Sequence, residues 1–271
     1  MTLSTSHILD ATAAMAKQLA VNISLNHLDI GSGHGALIQL LRDRKLVDHS
    51  SACDYTNTLM QLGDVEVNVV NLNNDGLPYR DSSFDLVTCT EVIEHLEHYR
   101  KTLREMYRVL KPSGTLVITT PNILNLKSRI RFLVFGFFNL FGPLHLRESE
   151  LHSAGGHINP VSSFYLTHSL LDAGFDNVCL TIDKRQTTST FWLVLLFLPI
   201  KIFSILTIGR EKARYQTIDI HNERFVRQMN SMDVLLGRTI VVGCRKPAKA
   251  HAAASLPTHN EALPALAACS V

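Results

Sequence analysis

Asp29-Ile30-Gly31-Ser32-Gly33-His34-Gly35 closes the apolar run Leu25–Ile30 and opens the helical pattern Ala36–Leu46. A short strand, a glycine turn and a helix form a nucleotide loop, because glycine lets the backbone turn tightly and approach a ligand closely. The dinucleotide fingerprint differs: its third glycine falls where this chain has Ala36, and it seats a pyrophosphate on the helix N-terminus. The Asp29 carboxylate would repel phosphate and suits a cationic or hydroxyl-rich ligand. Asp54 ends the second apolar run, where a carboxylate can take both hydroxyls of a ribose. Glu91, Glu94 and His95 stand at i, i+3 and i+4 and would share one face if helical, with His157 arriving from a later loop. Two carboxylates and imidazole donors can hold Mg²⁺ or a similar ion and leave positions open for paired substrate oxygens. Two other readings stay open. His95 or His157 can act as a general base near neutral pH, or Glu91 lines the ligand while Glu94 merely starts a helix.

Strand and helix signals alternate, which predicts an α/β fold: a doubly wound, mostly parallel sheet covered on both faces. Seven strands are expected near Leu25–Ile30, Ser51–Tyr55, Val65–Val70, Phe84–Thr90, Thr115–Thr120, Asn177–Asp183 and Thr239–Cys244. Helices are expected near Ser6–Ala20, Ala36–Leu46, Thr56–Leu62, Glu94–Leu110, Ile123–Phe138 and Ser162–Ala173. Turn chemistry separates them at Asn73-Asn74-Asp75-Gly76, Lys111-Pro112-Ser113-Gly114 and Asp172-Ala173-Gly174. The domain division expected is a helix in residues 1–23, a catalytic domain over 24–246 and an Ala- and Pro-rich disordered tail over 247–271.

These motifs stand in order with Ser83-Phe84-Asp85-Leu86-Val87, Glu91-Val92-Ile93-Glu94-His95-Leu96 and Arg108-Val109-Leu110-Lys111-Pro112-Ser113-Gly114. In that order the chain resembles the class I S-adenosylmethionine-dependent methyltransferases, in particular the group that includes ubiquinone-pathway O-methyltransferases. The likeness is dense over Leu25–Pro121 and looser through His157-Ile158-Asn159-Pro160 and Leu170–Phe175. It implies a Rossmann-like fold that binds S-adenosylmethionine. Asp29, Gly31 and Ser32 would lie toward the methionine moiety, Gly33 and Gly35 under the cofactor, and Asp54 on the ribose. Asn71, Leu72 and Asn73 would lie against adenine, and Glu91 at the methionine end. Many relatives carry Asp where this chain has Asn71 or Asn73, and an amide oxygen can still accept from the adenine amino group. Some relatives hold a metal on a Glu-x-x-Glu-His constellation, which places Glu91, Glu94, His95 and His157 as its ligands here.

Phe191–Ile208 breaks the α/β pattern: it is apolar except for Lys201, Ser204 and Thr207, and Arg210, Lys212 and Arg214 follow. A second apolar segment, Phe132–Leu144, follows Lys127, Arg129 and Arg131. The first run nears the ~18–20 residues that span a bilayer. A single span, however, would strand Thr239–Cys244 across the membrane from its sheet. With Pro199 at its centre, the run is read as an in-plane or re-entrant hairpin, within a hydrophobic insertion over 191–237 before the last strand.

The net charge of +2 implies no general nucleic-acid surface. Cys53, Cys89, Cys179 and Cys244 lie in strand-like runs and Cys269 in the tail, which reads as a reducing compartment. The Ser6–Ala20 pattern is an amphipathic helix rather than a signal peptide. The expected location is cytoplasmic, peripheral on the inner face of the cytoplasmic membrane. The expected activity is methylation of a hydroxyl on a lipid-linked, quinone-like or glycan-precursor acceptor. The alternatives are a non-catalytic cofactor-binding regulator and a soluble small-molecule N- or O-methyltransferase.

Overall fold

Apolar alternation with glycine punctuation produces seven strands in one sheet, ordered β3-β2-β1-β4-β5-β7-β6. The computed structural model describes residues 5–20, 25–144 and 156–248. The strands are β1 (Leu25–Ile30), β2 (Val47–Asp54), β3 (Val67–Val69), β4 (Phe84–Thr90), β5 (Leu110–Pro121), β6 (Asp176–Ile182) and β7 (Thr239–Arg245). The helices are α1 (Ser6–Leu19), α2 (Ala36–Asp43), α3 (Tyr99–Val109), α4 (Leu126–Phe135), α5 (Ser163–Asp172), α6 (Thr187–Arg210), α7 (Glu223–Gln228) and α8 (Met232–Leu236). β1 lies parallel between β2 and β4, and β4 parallel beside β5. β7 runs antiparallel between β5 and β6. The doubly wound, mostly parallel sheet therefore stands as expected. Strand order reverses between β1 and β4, which opens a crevice at their carboxyl ends.

The central strands are apolar on both sides because helices cover both faces. Leu28, Ile30, Val87, Cys89, Leu116 and Ile118 pack with Leu103, Met106, Leu166 and Leu170 on one side. Leu86, Val117 and Val241 pack with Ala13, Met15, Ala16 and Leu19 of α1 on the other. α1 is thus one of the layers of the domain, sharing its core with β1, α2 and β2. The tail expected beyond Pro247 lies outside the described residues from position 249 onward.

Three elements differ from expectation. Thr56–Leu62 is a run of turns, not a helix. The Thr58 N–H bonds the Thr56 hydroxyl, which competes with a helical turn, while Met60 and Leu62 fold down against Ile38. The helix expected from Glu94 starts only at Tyr99; Ile93–His95 form a single 3₁₀ turn. Glu91 lies outside that turn in the left-handed region (φ 54°), so Glu91, Glu94 and His95 do not share a helix face. Finally, α6 is one continuous helix through Pro199, which corrects the hairpin expected for Phe191–Ile208. Proline removes a single backbone hydrogen bond, and the neighbouring turns hold the helix across it.

Candidate functional site

The carboxyl ends of β1, β2 and β4 form the floor of one cavity of about 570 Å³, a size ordinary for a small-molecule site. Asp29, Gly31, Ser32, Gly33, Asp54, Asn71, Leu72, Asn73, Glu91, His95 and His157 all reach its wall. Of the residues read from the sequence, Gly35 and Glu94 lie behind it.

The glycine loop is shaped by close approach. Gly31 has φ +72°, and a Cβ there would meet Val92 Cγ2 at 2.2 Å. Gly35 caps α2 at φ +80° beneath Met60 and Leu62, so it packs the loop rather than lining the cavity. Gly31 N–H donates to the Cys53 carbonyl at 2.8 Å, and Gly33 N–H donates to Asp54 Oδ2 at 2.8 Å. One oxygen of Asp54 therefore holds the loop, and the other remains for a ligand.

Asp29 is buried at the end of β1 and accepts the Thr88 hydroxyl proton on Oδ1 at 2.6 Å. Burial raises its pKa to about 7; nearby Asp54 adds to this and the Thr88 bond opposes it. Thr88 Oγ1 in turn lies 2.7 Å from Nε2 of the fully buried His27. Neither Thr88 nor His27 was legible as part of a site, since each reads as an interior strand residue.

The adenine-loop amides are already engaged: Asn71 Oδ1 accepts from Asn73 N–H at 3.1 Å, and Asn73 Oδ1 accepts from Glu97 N–H at 2.9 Å. Each oxygen keeps a second lone pair, and each amide nitrogen its N–H donors, for a ligand. Their amide groups thus hold the loop as well as facing the cavity.

Glu91 is fixed by Thr119, which accepts from its N–H and donates its hydroxyl to Oε1 at 3.0 Å. Burial raises its carboxyl to about 7, with the Thr119 bond opposing. Glu94 is wholly buried; its Oε2 accepts from Thr120 and its Oε1 has no partner. Burial, reinforced by Glu91, holds its carboxyl well above the usual range. The His95 and His157 rings stand edge to face, 4.7 Å apart. Burial lowers both imidazoles, so they are neutral at pH 7. His95 Nδ1 lies 3.0 Å from the Gly156 carbonyl, so Nδ1 carries the proton and Nε2 the lone pair. His157 bonds the Leu140 carbonyl and leaves a buried Nδ1 without a partner.

Glu94, His95 and His157 each offer a donor atom within 4.8 Å of the others, and Glu91 stands outside this cluster. One carboxylate held toward its neutral form and two imidazoles fit Mg²⁺ poorly, because that ion demands oxygen ligands. The four-ligand Mg²⁺ site expected from the sequence is therefore not what these side chains build.

Beyond the motifs, the wall includes Thr5, Ile8 and Leu9 near α1, Tyr55 and Thr90 at strand ends, and Lys127, Asn139, Leu140, Gln186 and Arg238. Most of these come from connections whose sequence carries no cofactor signature. Lys127, Asn139 and Leu140 fall in or just before the apolar segment Phe132–Leu144, and Ile8 and Leu9 in the amphipathic Ser6–Ala20 pattern, neither of which marks a ligand contact by itself.

A family model described as "Methyltransferase domain" matches residues 6–180, and the chain belongs to that family of class I S-adenosylmethionine-dependent methyltransferases. It is 30% identical over 145 residues to a demethylmenaquinone methyltransferase of Listeria welshimeri, covering 48% of this chain and 61% of that protein. It is 32% identical over 127 residues to a ubiquinone/menaquinone biosynthesis C-methyltransferase of Pasteurella multocida, covering 44% and 47%. The chain spans roughly half the length of the curated relatives it matches. Among solved structures, the YcgJ protein of Bacillus subtilis superposes with a TM-score of 0.52 at 18% identity, over 90% of this chain and 99% of that one. At that identity the likeness concerns the fold.

Proposed function

We propose that this chain transfers the methyl group of S-adenosylmethionine to a hydroxyl of a lipid-linked, quinone-like or glycan-precursor acceptor held at a membrane surface. One observation carries this reading: a single cavity joins the Asp29–Gly33 loop and Asp54 to His95 and His157, and continues to Lys127 and Leu140 beside exposed apolar helices. Methyl transfer asks mainly for alignment, since the sulfonium carbon is already electrophilic. Asp29 would face the methionine ammonium, Gly31, Ser32 and Gly33 the cofactor chain, Asp54 the ribose, and Asn71, Leu72 and Asn73 the adenine. Glu91 would close the methionine end.

His95 is the better-placed base. Its Nδ1 proton is committed to Gly156, so Nε2 can take the acceptor's hydroxyl proton as the oxygen attacks. His157 packs against that ring and keeps it dry.

Membrane placement rests on α4 and α6. Leu133, Val134, Phe191, Val194, Leu198 and Phe203 are all exposed, and grouped exposed apolar side chains of this size mark a membrane or partner surface. Basic residues flank it: Arg210 ends α6, Lys212 and Arg214 follow it, and Lys127 heads α4. α6 is also pinned at two polar points. Ser189 Oγ accepts from Lys127 N–H, and Ser204 Oγ bonds Asn230. These points lie 15 residues, or about 22 Å, apart along the helix. A helix tied to the domain over that length lies in the membrane plane and does not cross it, on the inner face of the cytoplasmic membrane.

Calorimetry with S-adenosylhomocysteine is the first test: binding is expected, and Asp54→Ala should weaken it by about 1–3 kcal/mol. Transfer of labelled methyl to membrane extract should persist in chelator and drop sharply in His95→Ala. No cofactor binding by the intact chain would remove the reading. Activity lost in chelator and restored by Mn²⁺ would instead assign Glu94, His95 and His157 to a metal.

A further inference from the structure

We infer that the acceptor carries an oxyanion, phosphate or carboxylate, on its apolar chain, and that Lys127 is the side chain that selects it. The inference rests on the methyl-transfer reading above and narrows its substrate.

Beyond the glycine loop, Asp54 and the Tyr55 phenol, the ionisable groups on the cavity wall among the described residues are Glu91, His95, His157, Lys127 and Arg238. Arg238 is neutralised by Asp183, which it meets at 2.5 Å. Both histidines are neutral at pH 7, and Glu91 is held toward its neutral form by burial. Lys127 is exposed, and among the described residues its ammonium has no ion pair and no hydrogen bond. Among the described residues of the acceptor lobe, Lys127 is therefore the one full charge without a partner, and it is positive, while Glu91 at about 7 is ionised only in part at neutral pH. Asn139 and Gln186 lie on the same wall and add neutral amide donors.

Position makes the charge specific. Lys127 lies in the first turn of α4, and its N–H ties that turn to Ser189 on α6. One to two turns further along α4, Phe132, Leu133, Val134 and Phe135 stand exposed. An amphiphile whose anion meets Lys127 can thus lay its chain along α4 and α6 while its near end reaches His95. A neutral amphiphile forgoes the charge contact. The cationic sulfonium in the same cavity disfavours a cationic acceptor further.

The test uses the full chain saturated with S-adenosylhomocysteine and titrates it with monomeric dodecyl phosphate, dodecanoate and dodecanol. At least one of the two anions should bind about tenfold more tightly than dodecanol. Lys127→Gln should cut that preference below about threefold, while Lys201→Gln, a cation of α6 off the cavity wall, should leave it intact. Whichever anion binds better identifies the oxyanion. Equal binding of all three, or a preference that survives Lys127→Gln, overturns the inference. Failure of S-adenosylhomocysteine to bind at the outset would strike the methyl-transfer reading instead, so the two failures read separately.

Discussion

Thr88 has a single hydroxyl proton, and it goes to Asp29 Oδ1. His27 Nε2, 2.7 Å from the same oxygen, must then be the donor of that bond, which leaves His27 Nδ1 to accept from Ser50 at 3.1 Å. Burial depresses His27 to about 3, so this tautomer holds across the working range. The chain orients a carboxyl whose pKa is raised from 3.8 to about 7, chiefly by burial. Below pH 3.8 the proton is present in both folded and unfolded chains; between 3.8 and 7 only the folded state keeps it. That contribution to stability is full at low pH and is lost as pH rises through 7. A ligand that sets an ammonium against this carboxyl has the opposite preference. S-adenosylhomocysteine affinity should therefore rise with pH and level off above about 7, being roughly tenfold weaker one unit below. Asp29→Asn should flatten the slope to what Glu91, raised to the same range, leaves. Thr88→Val removes a bond that favours the ionised form, so the midpoint should move alkaline while the plateau changes little. An unmoved midpoint would reduce Thr88 to packing.

At the scale of elements, α4 shows how position overrules composition. Lys127, Arg129 and Arg131 read as one basic flank, yet they do three different things. Among the described residues the Lys127 ammonium has no partner on the cavity wall, and Arg131 folds back onto the Phe138 carbonyl and the Phe135 ring. Arg129 is drawn in, donating to the Leu124 carbonyl at 2.6 Å, Asn230 Oδ1 at 2.7 Å and the Met229 carbonyl at 2.7 Å. It clamps α4 to the connection between α7 and α8, and so holds one side of the cavity mouth. Arg129→Ala leaves those partly buried acceptors without their donor and should cost about 1–3 kcal/mol in denaturant unfolding. Arg131→Ala, measured alongside, should cost under about 1 kcal/mol. Equal losses would remove the distinction.

Considered whole, the molecule has a sheet core covered on both faces and one apolar flank that no described residue covers. Burying the flank contributes about 25 cal/mol per Å² removed from water, and each interfacial Lys or Arg adds about 1 kcal/mol near an anionic leaflet. The full chain should sediment with vesicles containing anionic lipid. Leu195→Glu with Ile202→Glu should release it while S-adenosylhomocysteine binding persists, since neither residue lines the cavity. Sedimentation unaffected by both charges would exclude α6 as the contact.

Local sequence determined the cofactor end of this protein. Each link from strand to glycine turn to helix spans fewer than a dozen residues, and its constraints are local: Gly31 at positive φ, an acid ending β1, Asp54 ending β2. Strands β4, β5 and β7 were legible for the same reason, because interior apolar and β-branched runs bury on both faces wherever they pair. Tertiary structure decided the acceptor end. Whether Glu91 shares a face with Glu94 depends on where the α3 helix begins, and the tie between Thr119 of β5 and Glu91 pulls that residue out of it. Whether Lys127 or Arg129 meets a ligand depends on Asn230, 101 residues from Arg129. Whether an apolar helix is core or surface depends on what packs over it. Those contacts are long-range, and no window of sequence carries them.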